Sequence, residues 1–146
     1  CAMPTRSRAP DLLVDTSVAV PLMVADHELH EPTFEAIAAR RLGLAGHAAF
    51  ETFSVLTRLP APLRRTPATV VRMIADNFPA SRYQSSAGAA QLLGRLAAEG
   101  VRGGSVYDAL VGAAAAESGL TLVTRDRRAL DVYRALGVDI QILDDR

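Results

Sequence analysis

Apolar residues fall along this chain in short solid runs separated by longer stretches with helical spacing. The first run, Leu12-Leu13-Val14, closes on Asp15. A short apolar run of this kind, bounded by polar residues, reads as a strand buried on both faces. Similar runs predict strands at 42–46, 120–124 and 138–143, and a further short strand at 79–84. Between them the pattern predicts helices. One follows Thr16 or Ser17, either of which can cap it, and runs to about residue 24. Another spans 33–41, opened by Pro32 in its first turn. A third spans 48–59 and is ended by Pro60 and Pro62. Further helices are predicted at 67–77, at 85–99, at 105–118 before Gly119, and at 126–136 before Gly137. Strands alternating with helices of this length require crossover connections, hence a mainly parallel sheet covered on both faces. The predicted fold class is α/β, a three-layer α/β/α sandwich.

Length and composition narrow the class without altering it. The 146 residues suit one domain, taken as residues 11–146, with 1–10 a tail or an added segment and Met3 the expected native start. Hydrophobic residues at 49% against 22% charged describe a chain able to form a core. The only cysteine is Cys1, which excludes an internal disulfide and a cysteine metal site. No run approaches the roughly 20 apolar residues needed to span a bilayer, and the first ten residues lack the apolar centre of a signal peptide. No membrane association is expected, and the expected location is cytoplasmic. Net charge is zero, so global charge announces no nucleic-acid partner. All 16 basic residues are Arg, a bias that fits the composition of a GC-rich genome.

Candidate chemistry lies in the acids. Ligands of open parallel sheets bind at the carboxyl ends of the strands. Asp15 ends the first predicted strand and Asp126 follows the strand at 120–124, so both reach the same sheet edge. Such a pair could supply hard oxygen ligands to Mg²⁺ or Mn²⁺. Each could equally be a helix cap, a role that suits Asp. Asp108 lies within a predicted helix, where Asp has poor propensity, on a run of small residues able to press against the sheet. An acid there is costly unless it meets a cation or turns to solvent. Glu51, among Phe50, Phe53 and Leu56, is not singled out by spacing.

Other chemistries are disfavoured. Phospho-acceptor domains of this architecture use a lysine, and the chain has none. A Walker A loop needs G-K-[ST], and no G-x-G-x-x-G occurs. His27 and His30 lack the spacing of a zinc motif and are expected at the surface.

The pattern Leu12-Leu13-Val14-Asp15-Thr16-Ser17, Ala49-Phe50-Glu51, Tyr107-Asp108-Ala109-Leu110 and Thr124-Arg125-Asp126, continued by Arg127-Arg128-Ala129-Leu130, resembles the PIN-domain ribonucleases, most nearly the VapC-type toxins of bacterial toxin–antitoxin pairs. The resemblance runs from about residue 11 to 143 and is loose over 59–87. It implies a Mg²⁺- or Mn²⁺-binding acidic pocket, endonucleolytic RNA cleavage, a homodimer and a cognate antitoxin protein. On this reading Asp15, Asp108 and Asp126 ligate metal and Glu51 orients or deprotonates a water. Thr124 hydrogen-bonds a carboxylate or phosphate oxygen, and Arg125, with Arg127 and Arg128, meets RNA phosphates. The alternative is a catalytically silent PIN-like domain that binds RNA or a partner, whose usual sign is loss of an acid. Acids so clustered should repel, raising the pKa of at least one. Val20, Leu22, Met23 and Phe34 are either core or a groove for an antitoxin helix.

Overall fold

The computed structural model describes residues 9–144, so most of the expected tail lies outside the described residues. Four parallel strands form one sheet in the order β2-β1-β3-β4: β1 (Leu12–Val14), β2 (Leu42–Leu44), β3 (Leu122–Thr124) and β4 (Ile140–Ile142). β1, β2 and β3 are buried throughout, which accounts for their unbroken apolar runs. β1 lies centrally, with Leu13 opposite Gly43 on one side and Leu122 on the other.

From β1 the chain moves outward through α1 (Thr16–Met23) and α2 (His30–Ile37) to β2. It then returns through α3 (Ala48–Thr57), α4 (Pro67–Asn77), α5 (Ser86–Ala98) and α6 (Ser105–Ser118) to β3 on the far side of β1. α7 (Leu130–Ala135) leads to β4. Right-handed crossovers in opposite directions place their helices on opposite faces, which makes the three layers. α1 packs on α2 and α3, while α6 packs on α5 and α7. The reversal of direction beside β1 leaves a crevice at the carboxyl ends of β1 and β3, where parallel sheets place ligands.

Three local departures from the sequence expectation have physical causes. Residues 79–84 make only one bridge, Ala45 to Arg82, not a strand. Backbone bonds do run from Ala80 N to Leu42 O and from Arg82 N to Leu44 O, but Leu44 N–H donates to Ser81 Oγ at 2.9 Å, so a side chain stands in for the ladder. The second helix begins at His30 and not at Thr33, and Thr33 Oγ1 returns a hydrogen bond to Leu29 O at 2.6 Å. The helix expected at 126–136 opens as a 3-10 turn, Arg127–Ala129, because Asp126 Oδ1 accepts Arg128 N–H and tightens its start.

Gly43 sets how closely residues 79–82 approach β2. A Cβ on Gly43 would lie 2.2 Å from the Ala80 carbonyl carbon, a backbone atom that cannot rotate away. Gly43→Ala should therefore destabilise the fold by about 2–3 kcal/mol, read from urea denaturation midpoints. An unchanged midpoint would mean that residues 79–82 yield without cost.

Candidate active site

The loops leaving β1 and β3 meet over the crevice, and Asp15 is fixed between them. It stands before α1 in extended conformation yet makes no side-chain cap to that helix. Instead its carboxylate is buried and accepts three hydroxyls: Ser17 Oγ at 2.5 Å on Oδ1, with Thr124 Oγ1 at 2.5 Å and Tyr133 OH at 2.9 Å on Oδ2. Two of these hydroxyls are themselves held by the β3 loop. Ser17 Oγ accepts Arg125 N–H at 2.9 Å, and Thr124 Oγ1 accepts Asp126 N–H at 3.0 Å. One buried acid thus ties the end of β1 to the turn after β3. The capping role open to Asp15 from sequence is not the one it plays.

Burial raises the pKa of Asp15, and the charge of Asp126 adds to the rise, while the three hydroxyls oppose it. Burial and the adjacent Asp15 charge likewise push the Tyr133 phenol upward, so it remains a donor. α6 approaches Tyr133 closely because Gly112 has no side chain: a Cβ there would meet Tyr133 Cδ1 at 3.0 Å.

Asp126, at the turn this network holds, opens on a cleft of about 470 Å³ lined also by Glu51, Ser105, Tyr107, Asp108 and Arg128. Three of the four acids of the sequence reading therefore line one cleft, and the fourth, the buried Asp15, does not line it but feels the charge of Asp126 and acts on Asp108. Asp108 sits in the first turn of α6, half-buried, where the helix dipole favours an anion. Its pKa is raised to about 6, chiefly by burial and then by the charges of Asp126, Glu51 and Asp15. Arg128 opposes that rise. Glu51, in the first turn of α3, is held by Thr16 Oγ1 at 3.1 Å and lies 3.4 Å from His47 Nε2. Asp126 does cap its turn, through Oδ1, which Arg128 Nε also approaches at 3.4 Å. For Asp126, capping and cleft lining coexist.

Among the described residues no three His, Cys, Asp or Glu side chains stand close enough to form a ready-made metal cage. The donor set nonetheless suits Mg²⁺, which keeps several waters and takes only one or two carboxylates directly. Acids that raise one another's pKa are the electrostatic condition a divalent cation relieves.

Thr124, expected from sequence to bond a carboxylate or phosphate, bonds Asp15. Arg125 is half-buried and reaches the site through its backbone, whereas Arg128 lines the cleft. Arg127 lies 3.5 Å from Asp144. His27 and His30 make local contacts, Nδ1 of the first accepting Leu29 N–H and Nδ1 of the second lying 2.9 Å from Pro21 O. Sequence reasoning missed Ser17 and Tyr133 as partners of Asp15. Ser17 carried a signal, two residues past an acid, but read equally well as a cap. Tyr133 carried none, since a tyrosine on an apolar helix face looks like core.

The PIN domain family model matches residues 12–135. The chain belongs to the PIN-domain family. Ribonuclease VapC27 of Mycobacterium tuberculosis is 46% identical over 133 residues, covering 91% of this chain and 97% of the relative. Ribonuclease VapC40 of the same species is 43% identical over 88% of this chain and 96% of its own. The fold is similar to that in VapBC2 from Rickettsia felis bound to a promoter DNA fragment, with TM-score 0.66 and 14% identity over 92% of this chain and all of that one. It is also similar to DNA-bound VapBC from Salmonella typhimurium, with TM-score 0.64 and 21% identity over 92% of this chain and 98% of that one.

In this PIN domain the raised Asp108 pKa has a consequence for stability in EDTA. An acid whose folded pKa lies above its unfolded value binds protons more tightly when folded. Its penalty is absent below the unfolded value of 3.8, grows as pH rises toward about 6, and is complete above it. Asp108→Asn should thus stabilise the fold by about 1 kcal/mol at pH 7.5, after allowance for solvent screening. The gain should shrink as pH approaches 4. Equal gains at both pH values, or a loss at pH 7.5, in melting curves would rule out acid repulsion as the cause.

Proposed function

We propose that this chain is a Mg²⁺- or Mn²⁺-dependent endoribonuclease and the toxin of a type II toxin–antitoxin pair. The observation that carries this reading is the cleft lined by Glu51, Asp108 and Asp126, two of which are coupled by charge to the buried Asp15. The relatives named ribonucleases support the substrate class, and the VapBC neighbours support an antitoxin partner. A silent PIN-like scaffold is the second reading, and the presence of all four acids weighs against it.

A phosphodiester resists hydrolysis because its anion repels an incoming hydroxide. A divalent ion held by Asp15, Asp108 and Asp126 would supply charge neutralisation and a more acidic bound water. The chain's own groups have distinct tasks. Asp15 is positioned by hydrogen bonds from Ser17, Thr124 and Tyr133, which preorganises its carboxylate. Glu51, steadied by Thr16, orients a water or accepts its proton. Arg128, exposed at the cleft wall, meets a phosphate oxygen. Burial and the neighbouring acids raise the Asp108 pKa to about 6, a rise that a bound cation would oppose. None of the described helices is long and apolar enough to cross a membrane.

Cleavage of a mixed RNA pool should proceed with Mg²⁺, proceed at least as fast with Mn²⁺, and stop in EDTA. Asp126→Asn should lower the rate on the order of 100-fold or more while the chain stays folded. Activity undiminished by EDTA would sink the metal mechanism.

The proposed partner surface is the α1–α2 face. Phe34 is 55% exposed, whereas Val20, Leu22 and Met23 are half-buried, and Leu22 and Met23 pack against the core. An amphipathic antitoxin helix would lay its apolar side over Phe34, and the chain would assemble as a homodimer. Co-expression with the protein encoded beside it should give a complex on size exclusion, and Phe34→Asp should weaken it by tenfold or more. A soluble, folded Phe34→Asp chain with an undiminished complex would put the partner elsewhere.

A further inference from the structure

Beside the acid cleft four rings form a continuous cluster. His47 stacks on Tyr107 with centroids 5.1 Å apart and planes 25° apart. His47 lies 6.4 Å from Phe50, which lies 6.3 Å from Tyr83. The rings come from three parts of the fold: the start of α3, residues 78–85, and the start of α6. Phe50, Tyr83 and Tyr107 are 64%, 59% and 52% exposed. The chain has only four Phe and three Tyr, so three of its seven such rings are spent on one solvent-facing patch. Exposed apolar area gathered in this way marks an interaction surface.

We propose that this cluster is a stacking shelf for unpaired nucleobases of the strand whose backbone enters the cleft. The proposal rests on reading the cleft as a phosphodiester site, and two contacts make shelf and cleft one surface. Tyr107 lines the cleft and immediately precedes Asp108, and His47 lies 3.4 Å from Glu51, four residues on in the same helix. A phosphate held near Asp108 and Arg128 leaves the adjoining bases within reach of these rings. Rings tilted at 25°, 36° and 58° to one another offer separate faces to successive bases. Such platforms accept any base, because every base has a π-face, and they require the base to be out of its helix. The shelf therefore selects single-stranded substrate without reading its sequence, while phosphate contacts across the cleft set the register.

The test separates binding from cleavage by working in the Asp126→Asn chain with a fluorescein-labelled single-stranded 12-nucleotide RNA. Phe50→Leu and Tyr83→Leu keep an apolar side chain at an exposed position but remove the π-face. Each should raise Kd about tenfold with the salt dependence unchanged, since phosphate contacts remain. RNA carrying abasic sites should bind the intact shelf as weakly as natural RNA binds the variants. Tyrosine fluorescence should fall on binding, because Tyr83 and Tyr107 are exposed and Tyr133 is buried. Unchanged Kd in both leucine variants overturns the shelf. So does unchanged RNA binding together with dissociation of a dimer by Phe50→Asp on size exclusion, which would assign the rings to a second copy of the chain. Ring-dependent binding by a wild-type chain that cleaves nothing would leave the shelf standing and remove the nuclease reading. Cleavage indifferent to the rings would do the reverse.

Discussion

A buried carboxylate with three hydroxyl donors is the interaction on which this molecule turns. Asp15 sits where the central strand ends, in surroundings that penalise its charge. An isolated charge there would be ruinous, and hydroxyl donors make it tolerable. Ser17 belongs to the helix after β1, Thr124 to the end of β3 and Tyr133 to α7. Meeting the demand of one acid therefore fixes the relative position of three elements. The Ser17 and Thr124 hydroxyls also accept the Arg125 and Asp126 amides, so the turn that presents Asp126 is set by two of the groups that solvate Asp15. Site geometry and fold stability are here one network, and a half-satisfied network would serve neither.

The remaining acids follow a different logic. Asp108 and Glu51 sit in first helical turns, where the dipole favours negative charge, and each faces the open cleft. Their mutual repulsion is left largely unrelieved, with Arg128 the opposing charge felt by Asp108. Asp15 is thus fully paired, while the acids that line the cleft retain an unmet preference for positive charge. That division would suit the cation and anionic substrate of the proposed function: one acid held fixed by its donors, and others left with an electrostatic appetite.

Much of the fold was legible because β1, β2 and β3 are buried on both faces and announce themselves as short apolar runs. Helix ends marked by Gly119 and Gly137 were also legible, since both take a positive φ. Residues 79–84 misled because Ser81 supplies a side-chain acceptor where a strand would use backbone, and no period reveals that substitution. Asp15 and Asp126 were placed by the rule that parallel sheets bind at strand ends. Asp108 was suspected because an acid among alanines needs a reason. Glu51 came only from resemblance, because a first-turn glutamate is ordinary in any helix. Tyr133 was invisible: its role depends on a hydroxyl meeting an acid 118 residues away, and no local pattern encodes such a meeting.

That separation has a bearing on how the chain comes into being. β1 is synthesised well before its neighbour β3 and the phenol that completes the Asp15 environment, which lies 118 residues further along. Long-range closures of this kind are slow and cannot be anticipated by a shorter chain. A nascent polypeptide halted anywhere before α7 holds its first acid without its full set of donors. The surroundings of that acid are therefore completed only after α7 has been made, so the order of synthesis and the order of assembly run in opposite directions here.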